Sequence, residues 1–181
     1  SSSEALPEAE LHERLLQARP DGDVYTPYGA SEATPVSIMN GRAILAETAA
    51  LTRKGQGTCV GALAPGASVK IIAITDEAVA TMSAARELPA GEIGEIIVRG
   101  PFVTRAYDTG GDPRGAEATA KAKISDPSVP EGFWHRMGDV GKLDERGRLW
   151  FCGRKGHRVE TATGTLHSIP VEAQVEALWP E

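Results

Sequence analysis

Three short stretches of this 181-residue chain carry side chains of the kinds that hold ligands. In Tyr28-Gly29-Ala30-Ser31-Glu32 an aromatic ring, a flexible glycine, a hydroxyl and a carboxylate follow a strand-like run over 24–27. The ends of strands are where layered α/β folds commonly bind. The same residues also suit an ordinary turn, with Ser31 as a cap and Glu32 in water. In Trp134-His135-Arg136-Met137-Gly138-Asp139 the aspartate follows a glycine at the end of an expected strand, and its carboxylate can accept two hydrogen bonds from a vicinal diol. A solvated turn aspartate is the alternative. Gly153-Arg154-Lys155-Gly156-His157-Arg158 is a basic connection between two strand-like pieces, suited to an anionic ligand, to bending, or to nothing more than a charged hairpin loop. His12, His135, His157 and His167 lack the spacing of a metal-ligating set, and Cys59 and Cys152, each alone in apolar surroundings, read as two reduced core thiols.

These stretches need elements to position them. Leu11, Leu15 and Ala18 recur at i, i+4 and i+7 ahead of Pro20, which predicts an amphipathic helix over 6–19 with that face buried. Two rows, Ile44/Thr48/Leu51 and Leu45/Ala49/Thr52, predict a second helix over 42–54 that stops before Gly55 and Gly57. The β-rich runs at 69–74 and 93–99, with Pro89 and Gly91 between them, predict two strands and a hairpin-like join. Residues 108–130 are rich in Gly, Asp, Pro, Ala and Lys. Two turns of helix fit 117–124, and the remainder reads as a long surface loop. A strand is expected over 148–152 and a hairpin between Val159 and Leu166. Pro170 then opens a helix with Val171, Val175 and Leu178 in register.

Apolar residues make up 41% and charged residues 24%, the mixture of a packed globular protein, while 20 glycines and 12 prolines call for many turns between short elements. A formal net charge of -6 has the wrong sign for general nucleic-acid binding. No apolar run approaches the roughly 18 residues that cross a bilayer, and Ser1-Ser2-Ser3-Glu4 lacks the basic start of a secretion signal. A cytoplasmic protein with no transmembrane segment is therefore expected. An amphipathic helix left half finished at Glu181 suggests a piece of something longer.

Taken in order, YGASE, GEIGEIIVRGP over 91–101, WHRMGD and GRLWFCGRKGHRV over 147–159 resemble the consecutive core motifs of the adenylate-forming superfamily of acyl- and aryl-CoA ligases, peptide-synthetase adenylation domains and luciferase. The resemblance spans roughly 24–178. It implies joining of ATP to a carboxylic acid as acyl-AMP, with release of pyrophosphate. By the same resemblance Tyr28, next to Gly29, stacks on adenine, and Ser31 stands near the α-phosphate. Glu32 is the acid associated with Mg²⁺, Asp139 holds the ribose hydroxyls, and Arg154 lies beside the same nucleotide. Residues 153–173 are more similar to the bacterial fatty-acid-CoA-ligase-like branch that includes the β-lactone synthetase of long-chain olefin biosynthesis. There a β-hydroxy acid is adenylated and its own hydroxyl closes the ring without CoA. A fatty-acid-CoA ligase, which consumes CoA, is the alternative, and a non-catalytic nucleotide-binding module is an alternative of another class.

The resemblance implies a mixed α/β fold. Residues 1–153 would be the C-terminal part of the large AMP-binding domain, with a small distorted β-barrel or sheet, and 154–181 the hinge and start of a mobile small domain. Two positions depart from the family pattern. Met137 stands where Thr is usual, and Gly156 stands where an Asp or Lys pivot is frequent, although glycine permits the same rotation. Sparse contacts are expected between residues before Gly153 and those after His157. No phosphate loop precedes YGASE and no lysine-bearing segment follows Glu181, so the 181 residues alone are expected to be inactive.

Overall fold

The computed structural model describes residues 8–108, 110 and 113–178. Helix α1 (Glu8–Ala18) ends just before Pro20. The expectation for its buried face is corrected: Leu11 and Leu15 are exposed, and the inward face carries His12, whose Nε2 meets Thr26 Oγ1 at 3.0 Å. A buried imidazole needs a polar partner, and that requirement outweighs leucine spacing in setting the helix's orientation.

Strands β1 (Tyr25–Ala30) and β2 (Ala33–Asn40) form an antiparallel hairpin in which Tyr28 faces Ser37. The run expected over 24–27 thus continues through Tyr28 and Gly29, and Ser31-Glu32 is the hairpin turn rather than a segment beyond a strand. Gly29 is required by close approach, since a Cβ there would lie 2.5 Å from the Ala33 carbonyl and 3.0 Å from Thr34. Gly29→Ala should therefore cost about 1–3 kcal/mol through overpacking, read as a lower melting temperature. An unchanged melting temperature would show that the hairpin yields.

The Asn40 side chain accepts from the backbone N–H of Arg42 and Ala43, starting α2 (Gly41–Ala43), which runs through a π-helical turn (Ile44–Thr48) into α3 (Ala49–Arg53). The second helix is present, but its widened turn buries Ile44, Thr48 and Ala49 and leaves Leu51 exposed. Strand β3 (Thr58–Leu63), unanticipated, pairs with β2, and β4 (Ser68–Ile72) pairs antiparallel with β5 (Gly94–Arg99) as expected. The join between those two is no tight hairpin: it contains a 3-10 turn (Met82–Ala84). Helix α4 (Pro113–Ala122) is longer than the two turns expected and leads into β6 (Lys123–Ser125). Then come β7 (Phe133–Leu143), β8 (Leu149–Arg154), a 3-10 turn (Lys155–His157) and the expected hairpin of β9 (Val159–Thr161) and β10 (Gly164–Leu166). Helix α5 (Ser168–Leu178) begins two residues before Pro170, and its Val171, Val175 and Leu178 are exposed.

Eight strands among the described residues make one antiparallel sheet, ordered β1-β2-β3-β8-β7-β5-β4 with β6 added to β7. Alternation on β5 sends Ile96 and Val98 to a cluster with Val69, Ile71 and Met137, and Ile97 to an opposite cluster with Ile72, Ile124 and Trp134. Both faces of this strand are thereby covered. Cys59 and Cys152 are buried free thiols, and burial pushes Cys152 up to about 11. No helix among the described residues is long and apolar enough to cross a membrane.

Candidate functional site

The site arises where β7 departs from regular pairing. Arg136 stands opposite Ile97 and Val140 opposite Glu95, so Met137, Gly138 and Asp139 share the length that β5 gives to Ile96 alone. Gly138 takes φ +68, which favours glycine and lets the strand bulge. Asp139 therefore lies within β7 rather than at its end, which corrects the expectation, and it pairs with Arg154 at the end of β8.

The bulge presents the Asp139 carboxylate to two donors. Tyr28 Oη donates to Oδ2 at 2.6 Å and Arg154 Nη1 to Oδ1 at 2.8 Å. Asp139 is 4% exposed while the Arg154 side chain is 58% exposed, so a buried carboxylate is neutralised by a guanidinium that remains in water. Burial, and then the Asp139 charge, push the Tyr28 phenol far above its ordinary value and keep it a donor. The Tyr28 ring also packs on Phe151 of β8, with centroids 5.8 Å apart and a tilt of 41°. Each Asp139 oxygen retains a further lone pair, so the carboxylate can still accept from the two hydroxyls of a diol. β1 and β7 are four places apart in the strand order, so the sheet must curl to bring Tyr28 and Asp139 together.

Glu32, half-buried in the hairpin turn, is held at both ends. Its carbonyl accepts from Thr104 N at 2.9 Å, and the Tyr107 hydroxyl donates to its carboxylate. Lys123 donates to the Thr104 carbonyl and stands 5.0 Å over the Phe133 ring, and burial pulls its amine down to about 8 against the opposing pull of Glu32. His135, paired across the sheet with Lys123, is lowered to about 4 by burial and then by the Lys123 charge. Its Nδ1 lies 3.3 Å from the Ala122 carbonyl, which only accepts, so the neutral ring carries its proton there.

Residues 1–108 match the family model described as AMP-binding enzyme. This chain belongs to the AMP-binding enzyme family. It is 49% identical over 152 residues to the olefin beta-lactone synthetase of Xanthomonas campestris pv. campestris, covering 84% of this chain and 27% of that protein. The olefin beta-lactone synthetase of Stenotrophomonas maltophilia is 48% identical over 155 residues, with the same shares covered. Among solved structures, the amide bond synthetase McbA from Marinactinospora thermotolerans is 26% identical with a TM-score of 0.66, covering 96% of this chain and 28% of that one. The chain spans about a quarter of the length of these relatives.

In this member of the AMP-binding enzyme family, Tyr28, Gly29 and Glu32 lie inside the matched residues, whereas Asp139 and Arg154 lie beyond them on β7 and β8. The fold joins Tyr28, Asp139 and Arg154 directly and puts Glu32 within electrostatic reach of Arg154, while Ser31 sits exposed in the hairpin turn. Sequence reasoning missed Tyr107, Lys123 and His135 as neighbours of Glu32. No local pattern marks Tyr107, and Lys123 falls in the stretch read as a helix or loop. Gly156 lies in the 3-10 turn with nothing within 4 Å of a notional Cβ. The expectation of sparse contacts across this turn is not met. Arg158 grips the Asp76 carboxylate at 2.6 and 3.2 Å, and α5 packs on α3 and β8.

Proposed function

We propose that this chain holds the nucleotide in an enzyme that activates a carboxylic acid with ATP, forming acyl-AMP and releasing pyrophosphate in the cytoplasm. The Tyr28–Asp139–Arg154 arrangement is the observation that carries this reading, because it leaves a buried, charge-balanced carboxylate with lone pairs for a ribose diol. Tyr28, fixed through its hydroxyl, would offer its ring to adenine, and Ser31 would stand near the α-phosphate. A carboxylate is a poor electrophile; its adenylate, with AMP as leaving group, is a good one.

Glu32 suits Mg²⁺ by its donor chemistry. Among the described residues no three His, Cys, Asp or Glu gather to cage an ion, and one carboxylate fits a hard cation held largely by phosphate oxygens and water. When bound, the ion supplies charge neutralisation on the phosphates. Tyr107 would keep the Glu32 carboxylate aimed. Residues 1–153 would belong to the large AMP-binding domain and 154–181 would begin the small one, with Gly156 as the pivot, and rotation there would have to break the Arg158–Asp76 pair and the packing of α5 on α3 and β8.

The similarity to two olefin beta-lactone synthetases favours a long-chain β-hydroxy fatty acid as substrate and a β-lactone as product. The reading is tested by acid-dependent pyrophosphate release from the full-length enzyme carrying this segment, offered fatty and β-hydroxy fatty acids. Release with at least one acid is the expected result. Silence with every acid, in a folded enzyme that binds ATP, would leave a non-catalytic nucleotide-binding module instead.

A further inference from the structure

Behind Asp139 and Arg154 lies a second charged cluster, centred on Glu95. Glu95 on β5 has a side chain only 1% exposed. Its Oε2 accepts from Arg136 Nη2 at 2.6 Å, and its Oε1 lies 3.1 Å from Arg136 Nε and 3.2 Å from Lys155 Nζ. Arg136 precedes Asp139 by three residues on β7, and Lys155 follows Arg154 directly. One buried carboxylate therefore ties β7 to the residue that follows β8, close to Asp139 and Arg154.

The two cations are not equivalent. Arg136, with 4% of its side chain exposed, also donates to the carbonyls of Thr75 at 2.6 Å, Glu77 at 2.7 Å and Lys121 at 3.3 Å, so it balances Glu95 by itself. Lys155, with 18% exposed, adds one bond to the Thr75 carbonyl at 2.9 Å and one ion pair to a carboxylate already neutralised. Removing Lys155 leaves no lone charge in the core, whereas removing Arg136 would. Its anchoring falls on the backbone next to Arg154, whose exposed side chain is otherwise held, among the described residues, by the bond to Asp139. The turn after Lys155 is closed by Arg158, which donates to the Lys155 carbonyl at 2.9 Å.

We propose that Lys155 is a positioning residue for nucleotide binding: by docking on Glu95 and the Thr75 carbonyl it fixes the end of β8 so that Arg154 meets Asp139. This rests on the reading that Asp139 and Arg154 hold the nucleotide. Loss of its anchor lets Arg154 sample the rotamers open to an exposed guanidinium, which weakens the preformed clamp without unfolding it.

The test is calorimetric titration of AMP into the full-length enzyme. Lys155→Met, which keeps the aliphatic stem, should raise the AMP Kd about tenfold, the size of loss typical for a supporting outer partner. Lys155→Arg should restore most of the affinity. Arg154→Ala should weaken AMP binding by itself, and adding Lys155→Met to it should weaken binding no further, because the lysine acts through the arginine. An unchanged Kd in Lys155→Met, or a loss that adds in full to that of Arg154→Ala, would overturn the proposal. So would unfolding of Lys155→Met, since Arg136 alone is argued to keep Glu95 balanced. If Asp139→Ala leaves AMP affinity intact, the nucleotide reading itself is wrong, a result distinct from failure at Lys155.

Discussion

Asp139→Ala in the full-length enzyme is expected to weaken ATP binding by about 1.5–3 kcal/mol, or about 10- to 150-fold in Kd, while the apparent affinity for the acid changes little. The carboxylate is the one anionic acceptor among Tyr28, Asp139 and Arg154, and bonds from a ligand's hydroxyls to an ionised group are charge-assisted. The fold should tolerate the change. Arg154 loses its partner but keeps 58% of its side chain in water, so its charge is not stranded. Tyr28 loses the acceptor of its hydroxyl, and its ring stays packed on Phe151. Binding titrations with ATP and with the acid, alongside a melting curve, separate these effects. Equal ATP affinity in a folded Asp139→Ala enzyme would reject the assignment of the diol to this carboxylate.

Much of this site was legible as isolated pieces and little of it as an assembly. Tyr28, Asp139 and Arg154 each stood out by type and by a neighbouring glycine. Nothing local says that residue 28 reaches residue 139, because that contact depends on the curl of a sheet across four strand places. The bulge at Gly138 was read as a strand end for the same reason: a glycine marks a break in regular backbone and does not say whether the strand resumes. Glu95 was not legible as a core charge because a buried carboxylate in a strand looks, in sequence, like the exposed half of an alternating pattern, and Lys155, legible only as part of a basic connection, carries no local sign that it turns inward to meet Glu95. The β9–β10 hairpin and the pairing of β4 with β5 were legible, since β propensity and turn residues agree there. Helix α1 was legible in extent but not in orientation, because His12 with its Thr26 partner decides the buried face.

The largest expected effect separates lactone formation from thioester formation through the nucleophile that attacks the acyl-AMP. A lactone-forming enzyme needs none from outside: the β-hydroxyl oxygen of the same substrate bonds to the acyl carbon, the bond to AMP breaks, and the hydroxyl proton is lost to a base or solvent. A long-chain β-hydroxy acid should then be consumed with ATP and Mg²⁺ alone, whereas the matching acid without the hydroxyl should stop at the adenylate. Proximity favours the internal hydroxyl, since tethering a nucleophile removes much of the entropic cost of bringing two molecules together, although a four-membered ring carries strain that offsets part of that gain. A CoA ligase reverses the pattern, turning over plain fatty acids only when CoA is supplied, because its nucleophile is a separate thiol. Mass spectrometry of the products, with and without CoA, distinguishes the two. A lactone formed without CoA from the β-hydroxy acid is the expected result. A CoA-dependent thioester with no lactone would remove the lactone assignment and leave the proposed acid adenylation in place, because both reactions would pass through the same acyl-AMP.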